Sequence, residues 1–99
     1  MKIKRTDENG AAVISPSGEL TAATAEQLGA ALEAAIGETD NLVLDFEGLE
    51  YVASAGLRVL LRTKKAMDLK AGRFAIRNVS EPVMRVFEIT GFDGVLTIE

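Results

Sequence analysis

At 99 residues the chain is the size of one domain, able to bury roughly two-thirds of its unfolded surface without disulfide or metal staples. Hydrophobic residues make up 47% and charged residues 26%, with a net charge of −4; this is a globular balance, and it leaves nucleic-acid binding without electrostatic support. Cysteine and histidine are both absent, which removes disulfides, thiol nucleophiles, imidazole bases and nearly all transition-metal ligand sets, so no cofactor or metal is expected.

No apolar run approaches the ~18–20 residues that span a bilayer. Met1–Arg5 lacks the apolar core and small-residue cleavage site of a signal peptide. A single cytoplasmic domain over residues 1–99, without membrane insertion, is the expectation.

Lys2–Thr6 and Ala11–Ser15 read as two short strands joined by Asp7-Glu8-Asn9-Gly10, in which Asn-Gly supplies the positive φ angles of a tight antiparallel hairpin. Pro16 has no N–H and is expected to end the second strand. Thr24 and Gln27 have the spacing of a capping box. Ala25, Leu28, Leu32, Ala35 and Ile36 then recur at three- and four-residue steps, the apolar stripe of a helix that Gly37 stops.

Leu42–Phe46 is a nearly unbroken apolar run, the pattern of a strand covered on both faces. Glu47–Ser54 reads as a loop at its carboxyl end, where open α/β sheets gather their binding sites. Ala55 to about Leu69 forms a second helix, with Leu57, Leu60, Leu61 and Met67 able to face inward and Arg58, Arg62 and Lys65 opposite. Arg73–Val79 makes a further strand. Ser80-Glu81-Pro82 then opens a third helix with a cap, an acid in the first turn and a proline whose missing N–H costs nothing there. Val83, Val86, Phe87 and Ile89 complete that helix, Gly91 ends it, and Val95–Ile98 supplies a last short strand. Alternation of strands and helices after the hairpin predicts an α/β fold with a mixed sheet, antiparallel at the first pair and parallel in its body.

Ser54 is the residue with the most chemical scope. It is a hydroxyl where a strand hands over to a helix, and it reads either as a helix N-cap or as a group presented to a partner's active site. Gly56 serves close helix–sheet packing or partner approach. Arg58, Arg62 and Lys65 form a docking stripe or a solvated outer face. Asp45 and Glu47 are two apart on or near a strand with no basic partner nearby in sequence, and do not read as a catalytic pair. No enzyme activity is expected.

Four segments in order along the chain resemble the STAS domain of bacterial anti-sigma factor antagonists. Gly18-Glu19-Leu20-Thr21 with Thr24-Ala25 resembles the family's "GEL-D…TA" start of its first helix, and Leu42–Phe46 its central apolar strand. Tyr51 to Leu61 resembles its "F-hydrophobic-D-S-S/T-G-L-G-V-L" signature, and Val79–Phe87 with Thr90-Gly91-Phe92 its "SP-V-R-LF…TGL" ending. The resemblance implies a STAS-like mixed sheet packed with α-helices, and a partner-switching role. The unphosphorylated form would bind an anti-sigma factor that doubles as a serine kinase; phosphorylation at Ser54 would release it, and a PP2C-type phosphatase would reset it.

It further implies a partner surface made by Thr21, Ala22, Ala23, Thr24, Ala53, Ala55, Gly56, Leu57, Arg58 and Arg62. The chain departs from the pattern at four of these: Ala53 and Thr21 stand where aspartates are usual, Ala55 where the family has serine or threonine, and Arg58 where it has a small residue. Two other roles belong to the same resemblance: a STAS subunit of a transporter or signalling scaffold, in which Ser54 is only a cap, and a nucleotide or small-molecule sensor. The latter finds no glycine-rich phosphate loop in the chain.

Overall fold

In the computed structural model, which describes residues 1–99, Asn9 and Gly10 take φ values of 51° and 83°. The tight turn they form pairs β1 (Lys2–Glu8) antiparallel with β2 (Ala11–Leu20), as the Asn-Gly signal predicts. β2 then serves two parallel partners in succession: Ala12–Ile14 pair with β3 (Asn41–Asp45), and Gly18–Leu20 pair with β4 (Leu49–Val52). β5 (Arg73–Arg77) lies parallel beyond β3, and β6 (Thr97–Ile98) beyond β5. The sheet is six-stranded and mixed, with β4 branching from β2 off the main β1-β2-β3-β5-β6 order.

Four expectations fail here, the first two for related reasons. β2 does not end at Pro16; it runs on to Leu20, with Pro16 opposite Ile3 of β1. Gly18 donates its N–H to the Gly48 carbonyl at 2.9 Å, and backbone groups two residues apart in a strand face the same side. The missing N–H of Pro16 therefore falls where β3 has finished and β4 has not begun, so no ladder bond is lost. Likewise Glu47–Ser54 is not one loop, because Leu49 and Val52 are buried and set β4 against the end of β2. The last strand is shorter than Val95–Ile98, since one 3-10 turn at Phe92–Gly94 precedes it. β5 also stops at Arg77, short of Val79.

The three helices are α1 (Ala25–Ile36), α2 (Ser54–Leu69) and α3 (Glu81–Thr90). Their apolar sides meet one face of the sheet in a single core, where Ala12, Ile14, Leu42, Leu44, Phe74 and Ile76 pack with Leu28, Leu32, Leu57, Leu60, Met67, Val83 and Phe87. Phe46 and Phe87 lie with ring centroids 6.5 Å apart, seating α3. Ile89, by contrast, is 79% exposed and takes no part in the core. On the opposite face Val43 gathers only with Ala11 and Val13. β3 is thus buried on both sides, as its unbroken apolar run implies, although helices cover only one.

The helix ends depart from their sequence signatures. Thr24 is the N-cap of α1 but makes no side-chain cap bond, and Gln27 reaches away to donate to the Met1 carbonyl at 3.0 Å, so there is no capping box. Ser80 is likewise the N-cap of α3 without a cap bond, its hydroxyl oxygen buried and unpartnered. Gly91 ends α3 with φ of 78°, the left-handed conformation expected of a C-terminal glycine. No helix is long and apolar enough to cross a membrane.

Candidate functional site

Parallel pairing of β2 with β4 assembles the site. Leu20 lies opposite Val52, and the Ala53 N–H donates to the Leu20 carbonyl at 2.8 Å, so the chain leaving β2 and the chain leaving β4 emerge side by side. Thr21–Thr24 is thereby set next to Ala53 and Ser54. This turn is stiffened from within. Thr24 Oγ1 accepts the Thr21 N–H at 2.9 Å and donates to the Glu19 carbonyl at 2.8 Å, while Thr21 Oγ1 accepts the Ala23 N–H at 3.2 Å. Both threonine hydroxyls are spent on the backbone, which leaves Ala22 and Ala23 as the exposed residues of the turn.

Ser54 is exposed and is the first residue of α2. The N-cap is Ala53, extended at φ −102° and ψ 173°, whose carbonyl accepts the N–H groups of Gly56 and Leu57 at 2.9 and 3.1 Å. The cap reading of Ser54 is therefore corrected: the capping position lies one residue earlier and carries no side-chain acceptor. Ala53 and Ala55 are half-buried beside it.

Gly56 and Leu57 lie beneath this surface. A Cβ at position 56 would stand 2.5 Å from Leu20 Cγ and 3.0 Å from Val52 Cγ2, so α2 sits on the sheet at a separation that only glycine permits. Leu57 is 7% exposed and belongs to the core. Of the two readings of Gly56, close packing is the one its surroundings meet.

Arg58, Arg62 and Lys65 follow at helical spacing on the exposed side of α2. The molecule has eight side-chain ion pairs and none includes these three residues, whereas Arg5, Lys64, Lys70, Arg73, Arg77 and Arg85 all have carboxylate partners. The Arg62 guanidinium lies over Gly29 of α1, where a Cβ would be 2.9 Å from Nη2. A groove of about 190 Å³ runs there between α1 and α2, floored by Ile36, Thr63 and Ala66.

Sequence reasoning missed a second groove, of about 450 Å³, between Tyr51 of β4 and Pro82, Arg85 and Val86 of α3. Tyr51 is 49% exposed three residues before Ser54. Only recognition of β4 as a strand would have set Tyr51 against α3.

Asp45 belongs to the scaffold. Its carboxylate accepts from the Glu47 N–H at 3.0 Å, the Asn78 amide at 3.1 Å and Arg77 Nε at 3.1 Å. Burial alone would raise its pKa; the three donors outweigh burial and hold it below the usual carboxylate range. Glu47 itself is exposed and donates only its backbone N–H, so the two acids do not converge on a reacting atom.

The chemistry available is narrow. Ser54 is a hydroxyl with no hydrogen-bond partner; the adjoining turn is threonine and alanine, and the cations that follow on α2 are arginine and lysine.

Comparison with known proteins agrees with this architecture. The STAS domain profile matches residues 2–99. The anti-sigma-F factor antagonist RsfB of Mycobacterium tuberculosis is 36% identical over 92 residues, covering 88% of this chain and 71% of RsfB. The crystal structure of an anti-sigma factor antagonist from Mycobacterium paratuberculosis superposes with a TM-score of 0.90 at 28% identity, covering 98% of this chain and 83% of that one. The Bacillus cell fate determinant SpoIIAA is 25% identical. It superposes with a TM-score of 0.80 in its unphosphorylated form, covering 99% of this chain and 88% of that one, and 0.75 in its phosphorylated form, covering 99% and 91%.

Proposed function

This chain belongs to the STAS domain family, and from that premise we propose that it is a cytoplasmic anti-sigma factor antagonist working by partner switching, with Ser54 as the switch. Unphosphorylated, it binds an anti-sigma factor of the ATP-binding serine kinase type and so frees a sigma factor. In the complex, Ser54 Oγ attacks the γ-phosphorus of ATP, its proton passes to a base on the kinase, ADP leaves, and the phosphorylated antagonist dissociates. A PP2C-type phosphatase hydrolyses the ester to serine and inorganic phosphate. The chain is substrate and ligand throughout, and catalyses neither step.

The observation that carries this reading is an exposed hydroxyl at the first position of α2, free of capping duty and flanked by Thr21–Thr24 and Ala53. The contact surface is Ala22, Ala23, Ala53, Ala55, Arg58 and Arg62, held in place by Thr21, Thr24, Gly56 and Leu57 from beneath. A dianion at the N-terminal end of a helix is locally favourable, so phosphorylation does not unfold the domain. Its effect falls on the interface, where close contact with small side chains is replaced by a charged, strongly hydrated group.

The test is the intact mass of the protein recovered from its own cells, together with what co-purifies. One added phosphate on Ser54 and recovery of a soluble serine kinase are expected, with recovery abolished when Ser54 carries phosphoserine. A chain never phosphorylated at Ser54 and recovered with a membrane transporter ATPase would overturn the reading.

A further inference from the structure

We propose that Arg58 is the intramolecular counter-ion of phosphorylated Ser54: the phosphate takes Arg58 out of the docking surface while adding its own charge to it. The inference rests on Ser54 being the modified residue and concerns what the modified state does within this chain.

Ser54 and Arg58 are four residues apart in α2, so their side chains stand on the same face about one turn apart, with Cβ atoms about 5–6 Å from each other. Helical side chains lean toward the N-terminus, which directs Arg58 toward residue 54. Both residues are exposed.

Arg58 also has no competing partner. It is absent from all eight ion pairs, and the first turn of α2 contains no acid. Its neighbours three and four residues on, Leu61 and Arg62, supply no carboxylate. The adjoining Thr21–Thr24 turn brings no charge; Glu19 and Glu26 at its two ends bring negative charge, and Arg62 and Lys65 extend the positive stripe away from Ser54. A guanidinium suits a phosphate because it offers a planar pair of N–H donors matched to two phosphate oxygens.

The consequence is a switch with two components. In the unmodified protein Arg58 is a free cation on the partner-facing side of α2, available to an acidic group on the partner. In the phosphorylated protein that cation is engaged in cis, and the same surface presents a pair with a net charge of about −0.5 to −1 in place of a hydroxyl and a free arginine.

The experiment installs phosphoserine at position 54 genetically, so no kinase is needed, and follows the phosphate by ³¹P NMR as a function of pH. The second phosphate pKa is near 6 in the absence of partners. With Arg58 present it is expected to lie lower by roughly 0.2–0.4 of a unit than in Arg58→Ala, the size of an i,i+4 pair for the one charge that the second ionisation adds. Arg58→Lys should recover part of the shift and Arg62→Ala none. Coincident titrations for wild type and Arg58→Ala would overturn the pairing, as would an equal shift from Arg62→Ala, which would mean a diffuse field and not a pair. Failure of any kinase to modify Ser54 would sink the proposed function and leave this measurement readable.

Discussion

A hydroxyl at the first helical position differs from one at the residue before it. At the N-cap it accepts an N–H from the next turn and its loss costs about 1 kcal/mol. At the first helical position the backbone is already helical and the side chain points outward. Ser54 is in the second situation, with Ala53 as the cap. Ser54→Ala should therefore change unfolding free energy by no more than about 0.5 kcal/mol, as for an exposed helical site without special partners, while abolishing phosphate acceptance. Urea unfolding monitored by circular dichroism decides this; a loss of 1 kcal/mol or more would mean that the hydroxyl is capping after all. The exposure of Ser54 was legible from the order strand, small polar residue, helix, whereas the cap was not, because the two assignments differ by one residue. The capping box expected at Thr24 and Gln27 fails for a different reason. Its hydroxyl binds Glu19 and Thr21 while Gln27 binds Met1, and a tie from residue 27 to residue 1 leaves no local trace.

At the scale of elements, two glycines separate packing that cannot yield from packing that can. At Gly56 an added methyl would meet Leu20 and Val52, both essentially unexposed, so α2 must lift or the core must shift. Gly56→Ala is expected to destabilise by about 1–3 kcal/mol, the cost of overpacking. At Gly29 the first atom met is the end of the exposed Arg62 side chain, which can swing away, and alanine brings up to about 1 kcal/mol of helix propensity. The two variants should move the thermal midpoint in opposite directions. A fall in both would mean that the Arg62 guanidinium is fixed over α1. The elements themselves were readable wherever local chemistry dictated them, as at Asn9-Gly10, in the stripe of α1 and at Gly91. Where pairing decided, they were not. Pro16 sits inside β2 because two different strands share that side of it, and β4 exists because Leu49 and Val52 find a buried place beside the end of β2.

Over the whole molecule the three helices occupy one face of the sheet, and the other has to manage with side chains from the strands. Val13 and Val43 are buried there. Alternation puts Asp45 and Arg77, which pair across β3 and β5, on the same face, and Arg77 also reaches Glu8 of β1 at 3.3 Å. Three strands separated in sequence are thus tied by one guanidinium, an arrangement invisible to any local pattern. Its pH dependence follows from the direction of the Asp45 shift. The folded pKa lies below the unfolded one, so the contribution is complete above the unfolded value, about 3.9, and is lost as pH falls through the lower folded value. Asp45→Asn keeps an acceptor for Glu47 and Asn78 but loses the charge facing Arg77, and should cost about 1 kcal/mol at neutral pH, modest because the pair is partly solvated. As pH falls through the lowered folded value the wild-type carboxyl is progressively protonated, and the difference between the two proteins should close. Chemical unfolding of both across this range measures it. A gap that stays constant into acid would mean that the shape of the side chain holds this face together and its charge does not.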